Sequence, residues 1–202
     1  MDFSLAFRAF FGINPNDIGE RVVVTNISPI YTALIENANS VDATWKGFYT
    51  VTKLCLSKDK HFHVIRIIPG SSIVDVVKLL TLYVKKLYFV GIAGCLDSSR
   101  SMGEVCEPSE FVSQNFPCEI KGLAICQTSG LIQATDFYME LQKKKVVLVD
   151  MECYDVYRIC KDNHVPLKYI VQISDFPLET PFYNVSSQPI NIEQIINLLH
   201  DE

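Results

Sequence analysis

Residues Val146 to Phe176 read VVLVDMECYDVYRICKDNHVPLKYIVQISDF, and the pattern of this stretch decides the fold. Val146 to Val149 is a short β-branched apolar run, too brief for a helix and typical of a parallel strand covered on both faces. Cys153, Val156, Ile159 and Cys160 then recur at helical spacing, while Asp155, Arg158, Lys161 and Asp162 fill the other face. Asn163 ends that helix and Pro166 forbids its resumption. Tyr169 to Ile173 is the second strand. Asp150 and Glu152 follow the first strand, and Asp175 follows the second. Ligands of open parallel sheets bind just beyond the carboxyl ends of the strands, so these three carboxylates mark a candidate site.

Around this unit, 202 residues are enough for one large α/β domain spanning 1–202, with residues 1–20 as an N-terminal extension. The apolar fraction of 49% is that of a globular chain rather than a disordered one. The net charge of −5 and a longest basic run of Lys143–Lys145 exclude a nucleic-acid groove, because phosphate contacts need clustered Lys and Arg. Seven cysteines show no C-x-x-C spacing and mostly fall in apolar runs, which fits a reducing, cytoplasmic setting better than a disulfide scaffold. Asp2 and Arg8 interrupt the hydrophobic start MDFSLAFRAFFG, which is no signal peptide, and no apolar run is long enough to span a membrane. His61, His63, His164 and His200 do not fall at ligand spacing with acids or cysteines, so neither a metal nor another cofactor is expected.

Elsewhere the chain alternates strand and helix. Phe3, Phe7, Phe10 and Phe11 share one side of a short helix that packs on the domain or on a subunit partner; a membrane-surface foot is the alternative, without the usual basic face. Val22 to Thr25 is a core strand, and Pro29 opens a helix through about Glu36. Gly47 to Leu56 and His61 to Ile68, separated by Ser57–Lys60, form a β-hairpin in which His63 and Arg66 face outward or meet a partner. Pro69-Gly70 breaks the strand, and Ser72 caps a helix striped by Ile73, Val76, Val77 and Leu80. Leu87 to Val90 is a buried strand ended by Gly91 to Gly94, Glu104 to Cys106 a short strand, Glu119 to Cys126 another. Leu131 to Leu141 reads as helix and Phe176 to Gln188 as extended surface chain. Asn191 caps a last helix with Ile192, Ile195, Ile196 and Leu199 on one face. The resulting class is α/β: a three-layer α-β-α sandwich with a mixed, mainly parallel sheet.

The order of motifs resembles the nucleoside phosphorylase and nucleosidase superfamily, in length and style nearest to methylthioadenosine/S-adenosylhomocysteine nucleosidases. The likeness covers roughly residues 21 to 176 and rests on IIPGSS (Ile67–Ser72), YFVGIAGCLDSSRSMGEV (Tyr88–Val105), VDMECYDVYRICKDNHVP (Val149–Pro166) and ISD (Ile173–Asp175). It implies that Met151 packs on the sugar and that Glu152 grips the ribose 2′- and 3′-hydroxyls, a task suited to a carboxylate that accepts two hydrogen bonds. It further implies that Asp175 is the general acid that protonates the purine, oriented by Ser174. Ala93 and Gly94 would line the base pocket, and Leu131 and Ile132 would pack on the base. On plainer readings Glu152 caps the following helix, Asp175 is a turn residue before Pro177, and Met151 is core.

The departures from the family pattern matter as much. Where phosphorylases of the family hold phosphate with Arg and Ser or Thr, this chain has Phe89 and Ile92, which disfavours phosphorolysis; nothing in the sequence points the substitutes Arg66 and Arg100 at the pocket. Where nucleosidases carry the glutamate that activates water, it has Ile30. Glu107 to Ile120 is much shorter than the usual insertion. The expected function is N-glycosidase-type hydrolysis of a purine nucleoside or relative. The alternative is a diverged member that binds a nucleoside-like ligand without turnover or serves other biosynthetic chemistry, and a phosphorylase comes third. The expected partners are a small nucleoside-like molecule and a second copy in a homodimer, with neither nucleic acid nor membrane.

Overall fold

The computed structural model describes residues 2–57, 60–68, 72–114, 119–130, 132–184 and 188–201. Ten strands among them form one sheet. In chain order these are Arg21–Thr25 (β1), Ser40–Lys46 (β2), Thr50–Ser57 (β3), Lys60–Arg66 (β4), Lys86–Cys95 (β5), Val105–Cys106 (β6), Glu110–Val112 (β7), Ala124–Gln127 (β8), Leu148–Asp150 (β9) and Leu167–Asp175 (β10). The helices are Phe3–Phe11 (α1), Ser28–Glu36 (α2), Ser72–Leu80 (α3), Thr135–Lys143 (α4), Cys153–Asp162 (α5) and Ile192–His200 (α6). The strand order is β2-β3-β4-β1-β5-β9-β8-β7, with β10 also paired to β5 and β6 to β10. Pairings β1–β4, β1–β5, β5–β10, β7–β8 and β8–β9 are parallel, while β2–β3, β3–β4, β5–β9 and β6–β10 are antiparallel.

Side-chain alternation builds the layers, because successive strand residues point to opposite faces. Val22 and Val24 of β1, Leu87 and Phe89 of β5, and Tyr169, Val171 and Ile173 of β10 face one core, with Phe7 and Phe11 of α1, Ile73, Val76 and Val77 of α3, and Val156 of α5. Val23, Tyr88, Val90 and Ile170 face the other, with Ile30 and Leu34 of α2 and Ile195 and Leu199 of α6. The Phe-rich N-terminus is therefore part of the first core: of its four phenylalanines Phe7 and Phe11 are fully buried and only Phe3 is well exposed. Amides of Phe48 and Tyr49 in the β2–β3 turn bond the Ala9 and Phe10 carbonyls, satisfying the end of α1. Gly12, in the left-handed region at φ 68°, ends α1 so close to this turn that a Cβ would lie 2.7 Å from the Lys46 carbonyl carbon.

Several sequence-based expectations need correction. β5 does not end at Val90 but runs through the glycines to Cys95, β8 is only Ala124–Gln127, and α4 starts at Thr135. The sequence reading also passed over β2, although Val41, Ala43 and Trp45 alternate with polar residues along it, and β7, whose three residues are too few to show a pattern. The chain from Phe176 is not simply extended: Phe176 and Thr180 close a turn by paired backbone bonds, and a single 3-10 turn follows at Phe182–Asn184. The Pro69-Gly70 break, the Ser72 side chain expected to cap α3, and Leu131 lie outside what is described. Among the described helices none is long and apolar enough to cross a membrane.

His63 is the clearest departure. Arg66 is exposed as expected, but His63 is 4% exposed, its ring stacked on Trp45 and its Nδ1 accepting the Gly19 amide at 3.0 Å. Burial, reinforced by Lys53, pushes its pKa from 6.5 down to about 4. Between those values the unfolded chain binds the proton and the folded one does not, so stability falls as pH drops through that window and holds above it. The shift from 6.5 to about 4 corresponds to a loss of about 3 kcal/mol. Urea unfolding of the wild type and His63→Gln at pH 7 and pH 4.5 checks this: the variant should lose markedly less stability on acidification, and parallel losses would contradict it.

Candidate functional site

The site arises from how three strands meet β5. β10 occupies one edge of β5 from Leu87 to Gly94. β1 and β9 must therefore share the other edge: β1 pairs with it as far as Val24–Phe89, and β9 pairs at Gly94–Val149 and Cys95–Leu148. β1 is parallel to β5 and β9 antiparallel, so the two run toward each other and both carboxyl ends face Val90–Ala93. The chain leaving each end, together with the end of β10, walls a cavity of about 380 Å³. Asn26 and Ile27 come from β1, Asp150, Met151 and Glu152 from β9, Ser174 and Asp175 from β10, and Ile92, Ala93 and Gly94 from β5. Thr128, Gly130, Tyr138, Val149, Pro177 and Phe182 complete the described lining.

The three carboxylates differ in what holds them. Asp150 is 9% exposed, and its Oδ1 accepts the amides of Glu152 (2.6 Å) and Cys153 (2.7 Å) and the Tyr169 hydroxyl (3.1 Å). It thus meets the first amides of α5, which every helix leaves without internal partners. Burial pushes the Asp150 carboxyl up to about 6, against the pull of those three donors. Glu152, 7% exposed, makes no side-chain cap bond to α5 although it stands at the N-cap position. The plainer reading of Glu152 as a helix cap is thus filled by Asp150 instead. Asp175 is 7% exposed; burial raises its pKa, and hydrogen bonds from Ser174 and the Phe182 amide oppose the rise. The Ser174 hydroxyl lies 2.7 Å from Asp175 Oδ1 and 3.2 Å from the Ala93 carbonyl, tying the acid to β5.

Six of the eight residues singled out in the sequence, Asp175, Ser174, Glu152, Met151, Ala93 and Gly94, line this one cavity. Ile132 does not: it is 76% exposed and outside the described lining. Sequence reasoning missed Asn26 and Ile27, although they directly follow the carboxyl end of β1, where such a site is expected. Tyr138, Pro177 and Phe182 had no signal of that kind, because only the tertiary path brings them to the mouth. Of the positions read as departures, Phe89 is fully buried and stacked on Tyr169 at 4.5 Å, and Ile30 is fully buried in the second core. Ile92 does line the cavity, half covered. Arg66 lies 5.5 Å over the Tyr31 ring and Arg100 pairs with Glu104 at 2.6 Å, and neither is in the described lining. That lining contains no Lys, Arg or His at all. Among the described residues no group of three or more His, Cys, Asp or Glu is arranged to hold a metal ion.

Gly94 is fixed by close approach rather than by backbone angle. A Cβ there would lie 2.8 Å from Pro177 Cγ and 3.0 Å from Val149 Cγ2, two walls of the cavity. Gly94→Ala should therefore cost about 1–3 kcal/mol of stability, as overpacking does, and weaken ligand binding as Pro177 is displaced. Thermal unfolding and ligand titration of the variant check both; an unchanged melting temperature would contradict the crowding.

The fold is shared, at low sequence identity, with solved nucleoside phosphorylases and nucleosidases. The P. knowlesi homologue of P. falciparum PNP aligns with a TM-score of 0.73 at 16% identity, over 92% of this chain and 88% of that one. A methylthioadenosine/S-adenosylhomocysteine nucleosidase from Colwellia psychrerythraea, solved with adenine, aligns at 0.70 and 15% identity, over 91% and 96%. AMP nucleosidase from Bacteroides thetaiotaomicron aligns at 0.69 and 16% identity, over 98% and 93%. No family model matches the chain, and no curated protein matches it in sequence.

Proposed function

We propose that the chain is an N-glycosidase that hydrolyses a purine nucleoside or a related uncharged nucleoside-like ligand. The observation that carries this reading is the meeting of Glu152 and Asp175, from different strands, on one cavity with Met151. Glu152 accepts the two vicinal hydroxyls of the sugar, whose ring lies against Met151. Asp175, its proton favoured by burial, protonates the purine ring. The C1′–N9 bond then breaks with its electron pair passing to the base, the sugar becomes oxocarbenium-like, and water adds at C1′, its surplus proton leaving to solvent. The solved nucleosidases with this fold, one of them holding adenine, support the class of ligand.

The charge of the lining bears on the alternatives. Three acids and no described cation make a poor seat for inorganic phosphate or for a phosphorylated nucleoside, since an anion there meets like charge without a partner. One observation favours the second reading, a ligand-binding member without turnover: Ile30, where family nucleosidases place the water-activating glutamate, is buried in the core. Release of free base from methylthioadenosine, adenosylhomocysteine, inosine and adenosine, with and without phosphate, separates these readings. The expected result is base release that phosphate does not accelerate. Ligand-dependent thermal stabilisation with no base release would overturn hydrolysis in favour of binding.

A further inference from the structure

The chain leaves β9 at Asp150 and enters α5 at Cys153, so two residues, Met151 and Glu152, carry everything the proposed sugar site presents from this side. Such a turn needs an external grip, because its amides are outside both the sheet ladder and the helix. Asp150 supplies it. Its Oδ1 gathers the Glu152 amide, the Cys153 amide and the Tyr169 hydroxyl within 3.1 Å. Tyr169 is itself held: 1% exposed, stacked on Phe89, and met edge-on by Phe111 at 5.5 Å. A chain of contacts thus runs from the centre of the sheet through one carboxylate oxygen to the backbone of Glu152. The Asp150 main chain is also engaged, its carbonyl accepting the Thr128 amide at 2.7 Å, so the base of the turn is tied to the loop beyond β8.

We propose that Asp150 is a positioning residue for sugar recognition, fixing the Met151–Glu152 turn so that the Glu152 carboxylate meets the ligand's 2′,3′-diol. The inference rests on the reading of Glu152 as the ribose clamp. It assigns different work to two neighbouring acids: Asp150 satisfies the helix amides, and Glu152, which makes no cap bond to α5, serves the cavity. A carboxylate that had to do both would be pulled toward the helix. The consequence is a selectivity effect: loosening the turn should harm ligands that carry the 2′,3′-diol more than ligands that lack it.

Calorimetric titration with adenosine and with 2′,3′-dideoxyadenosine tests this, throughout in an Asp175→Asn background that leaves the nucleoside intact. It compares the otherwise unaltered site (here the wild type) with Asp150→Ala, Asp150→Asn and Glu152→Gln. The wild type should favour adenosine by roughly tenfold or more, as expected for losing a hydrogen bond to a charged group. Glu152→Gln should erase most of that preference. Asp150→Ala should erase it too, with the Glu152 side chain intact, by weakening adenosine more than 2′,3′-dideoxyadenosine. Asp150→Asn, which keeps an oxygen acceptor at the same place, should restore it. If Asp150→Ala does not fold, Tyr169→Phe, which removes one donor from the same oxygen, carries the test and should weaken the preference in part. A wild type that binds both ligands equally, or a Glu152→Gln variant that still discriminates, overturns the clamp reading and this inference with it. Discrimination lost in Glu152→Gln but kept in Asp150→Ala, or lost as fully in Asp150→Asn as in Asp150→Ala, overturns this inference alone.

Discussion

Asp175→Asn should lower the rate of base release by about 10²- to 10⁴-fold, the usual contribution of a positioned general acid. The substitution is nearly isosteric: the carboxamide oxygen can still accept from the Ser174 hydroxyl, so the wall of the cavity and the affinity for nucleoside should change little. What is lost is the transferable proton. In the native protein burial raises the Asp175 pKa and keeps that proton available in spite of the hydrogen bonds from Ser174 and the Phe182 amide. An acid must be protonated to act, so the wild-type rate should fall as pH rises through that pKa, and this limb should be missing from the variant. Steady-state kinetics across pH with the wild type and the variant read both effects. Equal rates, or a loss confined to KM, would refute the assignment of Asp175 as acid.

The second large effect concerns stability. Phe11→Ala should destabilise the fold by about 3–5 kcal/mol, the range for emptying a fully buried aromatic site. Phe11 is 0% exposed, lies 4.7 Å from the Phe7 ring centre, and contacts Tyr49 across the β2–β3 turn. The void cannot collapse easily, because α1 is fixed at both ends: Asp2 caps it by accepting the Ser4 amide at 3.0 Å, and the β2–β3 turn bonds its last carbonyls. Against a total of about 5–15 kcal/mol for a typical domain, such a loss removes a large share of the stability. Chemical denaturation of the variant measures it directly. A loss below about 1 kcal/mol would mean that the N-terminal helix is an appendage rather than part of the core.

What could be read in advance follows from how local the signals are. The strand–helix–strand unit from Val146 to Phe176 was legible because helical periodicity, Asn163 and Pro166 act within a few residues of the positions they define. The stripes Ile73–Val76–Val77–Leu80 and Ile192–Ile195–Ile196–Leu199 were legible for the same reason. The direction of β9 was not: it is parallel to β8 yet antiparallel to β5, and nothing in Leu148–Asp150 encodes which neighbour it meets. That unread reversal sets the carboxyl ends of β1 and β9 facing each other and brings Asn26 and Ile27 to the cavity. His63 misled because strand alternation gives the side of the sheet but not whether Trp45 and the Gly19 loop cover it. The six residues carried over by resemblance meet in one cavity because they flank strand ends, whereas Ile132 belongs to a loop whose course depends on the start of α4.

The most direct test of the central claim is a crystal structure of Asp175→Asn soaked with methylthioadenosine. The expected density shows an intact nucleoside in the cavity between β1, β5 and β9. Its 2′- and 3′-hydroxyls should lie within hydrogen-bond reach of Glu152, its sugar against Met151, and its purine ring beside the substituted side chain. A nucleoside bound with its diol away from Glu152, or bound outside this cavity, would contradict the claim.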